Sequence, residues 1–375
     1  MHEDGKSVMK RKVAIVGATG LVGRRMAELL INHPWFELGM VVGSSESVDA
    51  TYRHVWTKKE TALQEHYGSH FWTPRPFPEA LAGWRVSSCE DLLASDIQVV
   101  FSSVPERAGS VEEQLLETGR TLFSNSPYGR FDQANPLVVP EANRAAMHNH
   151  RFIKNPNCVT SGLAILLSAI DQQYGVREAC VTTYQSVSGR GDAKYAPELV
   201  NHNIYPLHNS AERTEEYIRR EIKKILGQHL LLSVSCNRVS VQEGHYVDVR
   251  ISTERSIGSR ETLIRELSTF SPLYDIETPT RPLHPIVVVD EVGRPRPNQD
   301  AWHANGMAIA VGNIATDDEI YDLRLSYVVN NVVRGAAGGA LLNAEMWTLP
   351  HYRESTWGRE EESRIQTAKA LTPPS

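Results

Sequence analysis

The sequence predicts an α/β fold with a Rossmann-like, doubly wound parallel sheet in its first part and a mixed sheet in its second. Strand-like and helix-like segments alternate over about the first 150 of the 375 residues, and a glycine-rich turn follows the first strand. Beyond Cys158 several segments alternate apolar and polar residues, as strands with one exposed face do. The length of the chain also favours two domains over one.

Four strands are predicted in the first part. Residues 12–17 (KVAIVG) form a short apolar run that ends at a glycine, and similar runs lie at 36–43, at 97–104 and around Phe123. Runs of this length between turn residues are typical of strands buried on both faces. Apolar residues at helical spacing follow the first run and predict a helix from about Leu21.

The second part is predicted to open with a helix over 161–175. Strands are predicted over 179–187, 230–241 and 245–253, and a turn at 242–244 suggests that the last two pair as a hairpin.

Two further helices are predicted. The segment 211–226 is charged and amphipathic, with three isoleucines on one stripe, and 328–347 is rich in small residues that permit close packing. Residues 271–299 are rich in proline and are predicted to form an extended connection.

Composition and charge exclude several classes of function. Hydrophobic content of 41%, charged content of 22% and a net charge of -6 give no basic surface for nucleic acid. No apolar run approaches the roughly 20 residues that cross a bilayer, and the polar start of the chain is not a secretory signal. The four cysteines lack paired metal-ligand spacing. We therefore expect a cytoplasmic protein that holds no metal and binds neither nucleic acid nor membrane.

The segment GATGLVG, residues 17–23, joins the first strand to the first helix. Glycines at this place let the backbone approach a pyrophosphate, which the free N–H groups at the start of the helix bind. A tight turn without a ligand is the alternative interpretation. After the second strand, Ser44, Ser45 and Ser47 suit the 2′-phosphate of NADP, whereas Glu46 repels it and favours NAD.

Cys158, in KNPNCVTSG, stands just before an apolar helical run. The start of a helix stabilises a thiolate, so Cys158 is a candidate nucleophile; a buried, inert cysteine is the alternative. His245 is suited to acid–base chemistry and Gln185 to orienting an oxyanion, while an exposed histidine in a hairpin is the alternative for His245. Arg238 and Arg130 are candidates for binding a carboxylate or a phosphate, with surface salt bridges as the alternative.

Several segments, taken in order, resemble the aspartate-β-semialdehyde dehydrogenases, chiefly their archaeal and fungal branch. They are VAIVGATGLVG, SNSPYGR followed by NPLVVPEAN, KNPNC, TTYQSVSG, CNRVSVQEGH and NNVVRGAAGG. The resemblance implies NAD(P)-dependent reduction of an acyl phosphate, aspartyl 4-phosphate, to a semialdehyde through a cysteine thioester, and the reverse phosphorylating oxidation. It implies a dinucleotide-binding domain over 1–153, completed by a C-terminal helix over 331–375, and a catalytic and dimerisation domain over 154–330. A homodimer or homotetramer is the implied assembly.

The resemblance also implies roles for individual residues. The implied catalytic residues are Cys158, His245 and Gln185. The implied substrate-binding residues are Arg238, which binds the carboxylate, Arg130, which binds the phosphate, Glu215 and Asn157. The implied cofactor-binding residues are Gly17, Thr19, Gly20, Leu21, Val22, Ser44, Ser45, Ser47, Ser102, Ser103 and Asn331.

The chain departs from the family pattern at three positions. Glu46 stands where the family commonly has an arginine, which leaves NAD open beside NADP. Tyr217 falls near the place of a phosphate-binding lysine, and Asn313 replaces an expected arginine. These departures suggest two alternatives, an acyl-CoA reductase that makes malonate or succinate semialdehyde and a homologue with another acyl substrate. A cofactor-binding regulator without activity is a further alternative, whereas a hydrolase would not need the glycine-rich loop.

Overall fold

The structure, a computed structural model, describes residues 10–191, 195–316 and 318–349. These residues form two sheets, each covered by helices and each with its own hydrophobic core. None of the helices in these three ranges is long and apolar enough to cross a membrane.

The first sheet has six strands, all of which pair in parallel. In chain order they are β1 (Arg11–Val16), β2 (Phe36–Val42), β3 (Val86–Ser87), β4 (Val99–Ser102), β5 (Thr121–Ser124) and β6 (Phe152–Lys154). Their spatial order is β3-β2-β1-β4-β5-β6. The order reverses at β1, so the loops that leave β1 and β4 border one crevice, as in other doubly wound sheets.

Helices and short turns connect these strands and cover both faces of the sheet. The helices are α1 (Leu21–Leu30), α2 (Tyr52–Tyr67), α3 (Cys89–Ala94), α4 (Gly109–Glu117) and α5 (Pro140–Asn143), and the single 3-10 turns are Glu79–Leu81, Glu106–Ala108 and Arg144–Met147. Because both faces are covered, the buried parts of β1, β4 and β5 are mainly apolar, with Ser102, Thr121 and Ser124 as buried polar exceptions. The apolar runs are the pattern that predicted these strands.

The second sheet has seven strands and is mixed. In chain order they are β7 (Val176–Gln185), β8 (Ile204–Pro206), β9 (Leu231–Val239), β10 (His245–Thr253), β11 (Ile286–Val288), β12 (Ile309–Ala315) and β13 (Leu323–Val329). Their spatial order is β11-β12-β13-β10-β7-β9-β8. The pairs β7–β9 and β11–β12 are parallel and the others are antiparallel. The two sheets confirm the predicted fold class.

Helices of the second part pack mainly on one face of this sheet. They are α6 (Cys158–Tyr174), α7 (Pro197–Val200), α8 (Thr214–Leu226), α9 (Arg260–Thr269) and α10 (Pro297–Asp300), with 3-10 turns at Val187–Arg190 and His303–Gly306. The apolar α6 and the isoleucine stripe of α8 lie in the same core, so the sequence pattern that predicted these two helices also explains their position.

The predicted hairpin between β9 and β10 is wrong. Strand β7 lies between them, parallel to β9 and antiparallel to β10. The connecting residues pass around the end of β7, where the N–H groups of Val187 and Ser188 donate to the carbonyls of Val241 and Gln242 at 2.9 and 3.3 Å. These long-range hydrogen bonds replace the turn that the local sequence suggested.

The long helix predicted over 328–347 begins later than expected. Residues 323–329 form β13, and the side chain of Asn330 then accepts the N–H groups of Val332 and Val333 at 3.1 and 2.8 Å. This cap starts a π-helical turn over Val333–Ala337, which continues as α11 (Gly338–Thr348).

Two other sequence predictions concern the C-terminal helix and the proline-rich connection. Of the C-terminal helix predicted over 331–375, residues 350–375 lie outside the described residues. The proline-rich connection over 271–299 contains β11 and the short α10.

Candidate active site

Cys158 is the first residue of α6 and lies beside His245. Their Sγ and Nε2 atoms are 3.1 Å apart. The helix starts here because the side chain of Asn157 accepts the N–H of Val159 at 3.0 Å. Burial raises the pKa of the Cys158 thiol to about 11, although the charge of Arg238 opposes this shift. The cysteine is therefore a neutral thiol at rest, half-buried and in contact with an imidazole.

His245 is the first residue of β10 and is wholly buried. Its Nδ1 atom accepts the backbone N–H of Ser186 at 3.0 Å and lies 3.1 Å from Ser186 Oγ. Burial, followed by the positive charge of Arg238, lowers the pKa of His245 well below its usual value. The histidine is therefore neutral at rest as well.

Gln185 and Arg238 lie opposite each other at the ends of β7 and β9. The ends of these strands and the start of β10 meet at one edge of the sheet, which brings both residues close to His245. The amide nitrogen of Gln185 donates to Thr183 Oγ1 at 2.9 Å. In this state the amide points along its own strand and makes no hydrogen bond to Cys158.

The guanidinium of Arg238 is buried and already has three protein partners. Its Nε, Nη1 and Nη2 atoms donate to Tyr195 Oη at 3.0 Å, to the carbonyl of Ser186 at 2.8 Å and to Glu212 Oε2 at 2.6 Å. Glu212 also pairs with Arg190 at 2.9 Å and accepts the hydroxyl of Tyr195. An incoming carboxylate therefore meets a guanidinium that already pairs with Glu212, an acid that Arg238 shares with Arg190.

Arg130 is likewise paired inside the protein. Its Nη1 donates to Glu221 Oε1 at 2.9 Å and its Nη2 to the carbonyl of Asn125 at 2.7 Å, and both charged side chains are buried. The other oxygen of Glu221 accepts the N–H of Asn157 at 2.8 Å. The pair thus braces the residue that precedes Cys158, and Asn157 acts on the helix start through both its backbone and its side chain.

Glu215 lies on the first turn of α8, and both of its oxygens have partners. Oε1 accepts the N–H of Cys236 at 3.1 Å, and Oε2 pairs with His208 at 2.9 Å. Tyr217, which the sequence places near the position of a family lysine, packs against Phe131 with 5.2 Å between ring centroids. Near the place where the resemblance implied a cation, α8 therefore presents the neutral ring of Tyr217.

The glycine-rich loop lies at the crevice between β1 and β4, where a doubly wound sheet binds a dinucleotide. Gly17 has a φ of +77°, and a Cβ there would lie 2.9 Å from the carbonyl of Ser103. Gly20 precedes α1 without a side-chain cap, so the first N–H groups of the helix are free to bind a phosphate. Ser102 Oγ is buried there without a partner. Thr19, Leu21 and Val22 belong to the same turn and helix start, so the predicted loop residues lie together.

Residues 12–150 match the family model described as semialdehyde dehydrogenase, NAD binding domain, and residues 166–334 match its dimerisation domain. The chain belongs to the semialdehyde dehydrogenase family. The resemblance seen in the sequence is confirmed, and the chain is an oxidoreductase that uses a nicotinamide cofactor.

Relatives of this chain match it over about nine-tenths of its length. An aspartate-semialdehyde dehydrogenase of Trichophyton rubrum is 32% identical over 365 residues, which are 90% of this chain and 96% of that protein. A malonyl-CoA reductase (NADP) of Metallosphaera sedula is 28% identical over 89% of this chain and 96% of that protein. The crystal structure of an aspartate semialdehyde dehydrogenase with NADP from Candida albicans superposes with a TM-score of 0.76 at 27% identity, covering 90% and 98% of the two chains.

The turn after β2 carries the serines that were predicted to suit the 2′-phosphate of NADP. Ser44 and Ser45 are exposed beside Glu46, whereas the hydroxyl and N–H of Ser47 both donate to the carbonyl of Ser44 at 2.9 Å. Sequence reasoning missed Arg85, whose Nη1 donates to the carbonyl of Asp49 at 2.6 Å and so brings a cation beside this turn.

Two residues predicted to contact the cofactor, Asn331 and Ser103, have polar partners within the protein. Asn331 Oδ1 accepts the N–H of Gly244 at 2.8 Å and the hydroxyl of Ser186 at 3.1 Å, so its amide lies behind His245. Ser103 Oγ accepts the amide of Asn125 at 3.4 Å.

Four polar residues of the site were missed by sequence reasoning: Ser186, Tyr195, Glu212 and Glu221. Only Glu221 gives a signal in the sequence, because an acid on the buried stripe of a helix needs a buried partner. The other three lie in loops or at a strand end, where no periodicity marks a buried side chain.

The turn that leads to His245 is fastened to the first part of the chain. The amide of Gln242 accepts the N–H of Thr73 at 3.1 Å and donates to the carbonyl of Thr73 at 2.9 Å. Glu243 accepts Arg75 Nη2 and lies 3.5 Å from Arg25 Nη2. Residues 73–75 therefore hold the turn 242–244 and, through it, the histidine of the active site.

Proposed function

We propose that the chain catalyses the NADP-dependent interconversion of aspartyl 4-phosphate and L-aspartate 4-semialdehyde through a thioester on Cys158. The observation that carries the proposal is the contact of 3.1 Å between Cys158 and His245 at the start of α6, in a chain that also has a dinucleotide loop. A hydrolase needs only the first of these two features.

The thiolate of Cys158 attacks the acyl carbon, a C–S bond forms, and phosphate leaves with the electron pair of the broken C–O bond. The loop at Gly17 and Gly20 would hold the pyrophosphate of a nicotinamide cofactor, which when bound would supply the hydride that reduces the thioester. When the resulting tetrahedral oxyanion collapses, the C–S bond breaks, the aldehyde is released and the thiolate is restored. His245 lies 3.1 Å from the sulfur that forms and breaks these bonds, and Gln185, at the end of the neighbouring strand β7, carries an amide suited to orienting the acyl oxygen.

The decisive experiment is the phosphate-dependent oxidation of L-aspartate semialdehyde, followed by cofactor absorbance with NAD and with NADP in parallel. We expect turnover that requires phosphate and is faster with NADP, because the turn after β2 presents serines and Arg85. Faster turnover with NAD would instead indicate that the exposed Glu46 determines which cofactor this turn prefers.

A second candidate function, acyl-CoA reduction, is favoured by the state of the two arginines. Glu212 pairs with Arg238 and Glu221 pairs with Arg130, while Tyr217 falls near the place of a family lysine. The site therefore offers a doubly charged phosphate leaving group less positive charge than the resemblance implies. The thiolate of coenzyme A carries a smaller charge at the reacting atom and needs less stabilisation by cations. Reduction of malonyl-CoA or succinyl-CoA, together with no turnover of L-aspartate semialdehyde with either cofactor, would select this function.

We also propose that two copies pair through the outer face of the second sheet. Residues 166–334, which include all the strands of this sheet, match a family model described as a dimerisation domain. On that face Tyr184 and Tyr246 lie with ring centroids 6.0 Å apart and, with Arg294 to Pro297, line a cleft of about 580 Å³. Light scattering of the parent chain and of a Tyr246→Asp variant tests this assembly, since a charge in a tightly packed interface should favour the single chain.

A further inference from the structure

Lys224 lies in the last turn of α8 and directs its ammonium into the loop formed by residues 127–135. Its Nζ donates to the main-chain carbonyls of Arg130 at 3.0 Å, of Asp132 at 2.5 Å and of Asn135 at 2.8 Å. An ammonium has three donors and no acceptor. Three neutral oxygens of one loop therefore satisfy all the hydrogen bonds that this group can make.

The loop 127–135 is folded so that these three carbonyls point toward one place. Gly129 has a φ of +61°, which turns the chain, and its carbonyl accepts the N–H of Asp132 at 3.2 Å and the side-chain amide of Asn135 at 2.9 Å. The carbonyl of Asp132 also accepts the N–H of Asn135 at 3.2 Å. The loop's own hydrogen bonds thus arrange the oxygens, and the ammonium lies where they meet.

Neutral main-chain oxygens that converge on a single positive charge are typical ligands of a monovalent cation. In potassium channels, for example, such carbonyls replace the hydration shell of K⁺. Here burial lowers the pKa of Lys224, while the charges of Asp132 and Glu221 oppose this shift. The ammonium is therefore partly withdrawn from water, and the carbonyls of the loop take the place of its hydration.

The same face of α8 holds the loop at two further places. Glu221, one turn before the lysine, accepts Arg130 Nη1 at 2.9 Å. Phe131 packs against Tyr217, with 5.2 Å between ring centroids, and against the guanidinium of Arg220, which lies 3.8 Å from the centroid of the Phe131 ring. Removal of the ammonium alone leaves these contacts in place, so a variant that lacks it should still fold.

The ammonium fixes the main chain of Arg130, whose side chain has one donor to spare. The carbonyl of Arg130 bonds to Lys224, while its Nη1 donates to Glu221 and its Nη2 to the carbonyl of Asn125 at 2.7 Å. Its Nε is buried without a hydrogen-bond partner among the described residues. A buried donor of this kind is costly unless a ligand accepts from it. The place that its N–H points to depends on the position of the loop.

We propose that Lys224 is a positioning residue whose ammonium takes the place of a bound monovalent cation, and that removal of its side chain leaves a site for NH₄⁺ or K⁺ among the three carbonyls. Through the loop 127–135 this positive charge holds Arg130 in the orientation in which it binds an anion. That the anion is the phosphate of the reaction rests on the proposed function, whereas the cation site can be measured without turnover.

The first test is cation binding by the full chain with Lys224→Ala, which empties the space of the side chain, and with Lys224→Met, which fills it without a charge. The unfolding temperature of Lys224→Ala should rise with NH₄Cl or KCl until the site is saturated, relative to tetramethylammonium chloride at the same ionic strength. The parent and Lys224→Met should show no such saturable rise. A response of Lys224→Ala no larger than that of the parent would overturn the proposal.

Crystals of Lys224→Ala that contain Rb⁺ or Tl⁺ locate the cation by its anomalous scattering. We expect one peak that the carbonyls of Arg130, Asp132 and Asn135 coordinate together, at the place of the lost ammonium. A map without a peak at this place, at a concentration that saturates the thermal response, would refute the site.

The positioning role is tested by the phosphate-dependent oxidation with a saturating cofactor. Lys224→Ala should raise KM for phosphate about tenfold to 100-fold, the loss that a displacement of about 1 Å can cause, and should change kcat less. Ammonium should restore most of this loss in Lys224→Ala and none of it in Lys224→Met. Lys223→Ala, which removes an equal charge one residue away, should behave like the parent. A loss that ammonium does not restore in Lys224→Ala would contradict the positioning role.

Calorimetric titration of the same variants with inorganic phosphate separates this inference from the proposed function. If ammonium restores phosphate affinity in Lys224→Ala but the parent turns over neither an acyl phosphate nor an acyl-CoA, the proposed function fails and the role of Lys224 stands. If the parent is active and Lys224→Ala matches Lys223→Ala with and without ammonium, the proposed function stands and the role of Lys224 is refuted.

Discussion

Replacing Glu221 by glutamine should destabilise the protein more than its modest change in size suggests. Glu221 is fully buried, its two oxygens accept Arg130 Nη1 at 2.9 Å and the N–H of Asn157 at 2.8 Å, and Arg130 is buried as well. Glutamine has one acceptor oxygen and no charge, so one donor loses its partner and Arg130 becomes a buried, uncompensated cation. Breaking such a pair costs about 3–5 kcal/mol.

Urea unfolding followed by tryptophan fluorescence measures this loss. Glu216→Gln is the matched control, because Glu216 lies on the same helix and pairs with Arg213 and Arg220 at the surface; it should change the midpoint little. A double variant, Arg130→Met with Glu221→Met, should recover much of the stability because no charge is left unpaired. The reasoning is refuted if Glu221→Gln costs no more than the control, or if the double variant is as unstable as the single one.

Three further predictions concern the chemistry. Cys158→Ala should abolish turnover while NADPH still binds, as fluorescence titration would show; substantial residual reduction would exclude a thioester. Arg238→Leu should raise KM far more for a carboxylate-bearing aldehyde than for a neutral one, and equal increases would argue against a carboxylate clamp. Gly17→Ala adds a Cβ 2.9 Å from the carbonyl of Ser103 at a φ of +77° and should weaken NADPH binding about tenfold or more, whereas Gly258→Ala, which meets nothing within 4 Å, should not.

The parts of the fold that were predictable depend on local pattern. The strands of the first sheet are buried on both faces and read as apolar runs, and Gly17 marks the turn after the first of them. The insertion of β7 between β9 and β10 was not predictable, because the residues between those two strands look like a hairpin turn. The hydrogen bonds that decide the pairing join residues more than fifty positions apart.

The candidate site divides in the same way. The place of Cys158 before an apolar helix made it a candidate nucleophile but left an inert cysteine as the alternative. The other segments that resemble the family, including the one with His245, decided in favour of the nucleophile. The two acids that form ion pairs with Arg238 and Arg130 were not recognised. Glu212 is 26 positions from Arg238 in the sequence, and Glu221 is 91 positions from Arg130. Pairing between residues so far apart in sequence depends on the packed fold. The same two ion pairs bear on the choice between an acyl phosphate and an acyl-CoA, because they set the positive charge available to the leaving group.

The attachment of the turn 242–244 to residues 73–75 has an evolutionary consequence. A protein assembled from two interchangeable modules would let either half be recombined with a foreign partner. Here Gln242 bonds to the backbone of Thr73, Glu243 pairs with Arg75, and the next residues place His245. A chimera that joins one relative's first half to another's second half must therefore inherit a matching pair of loops, so these two stretches are expected to change together across lineages.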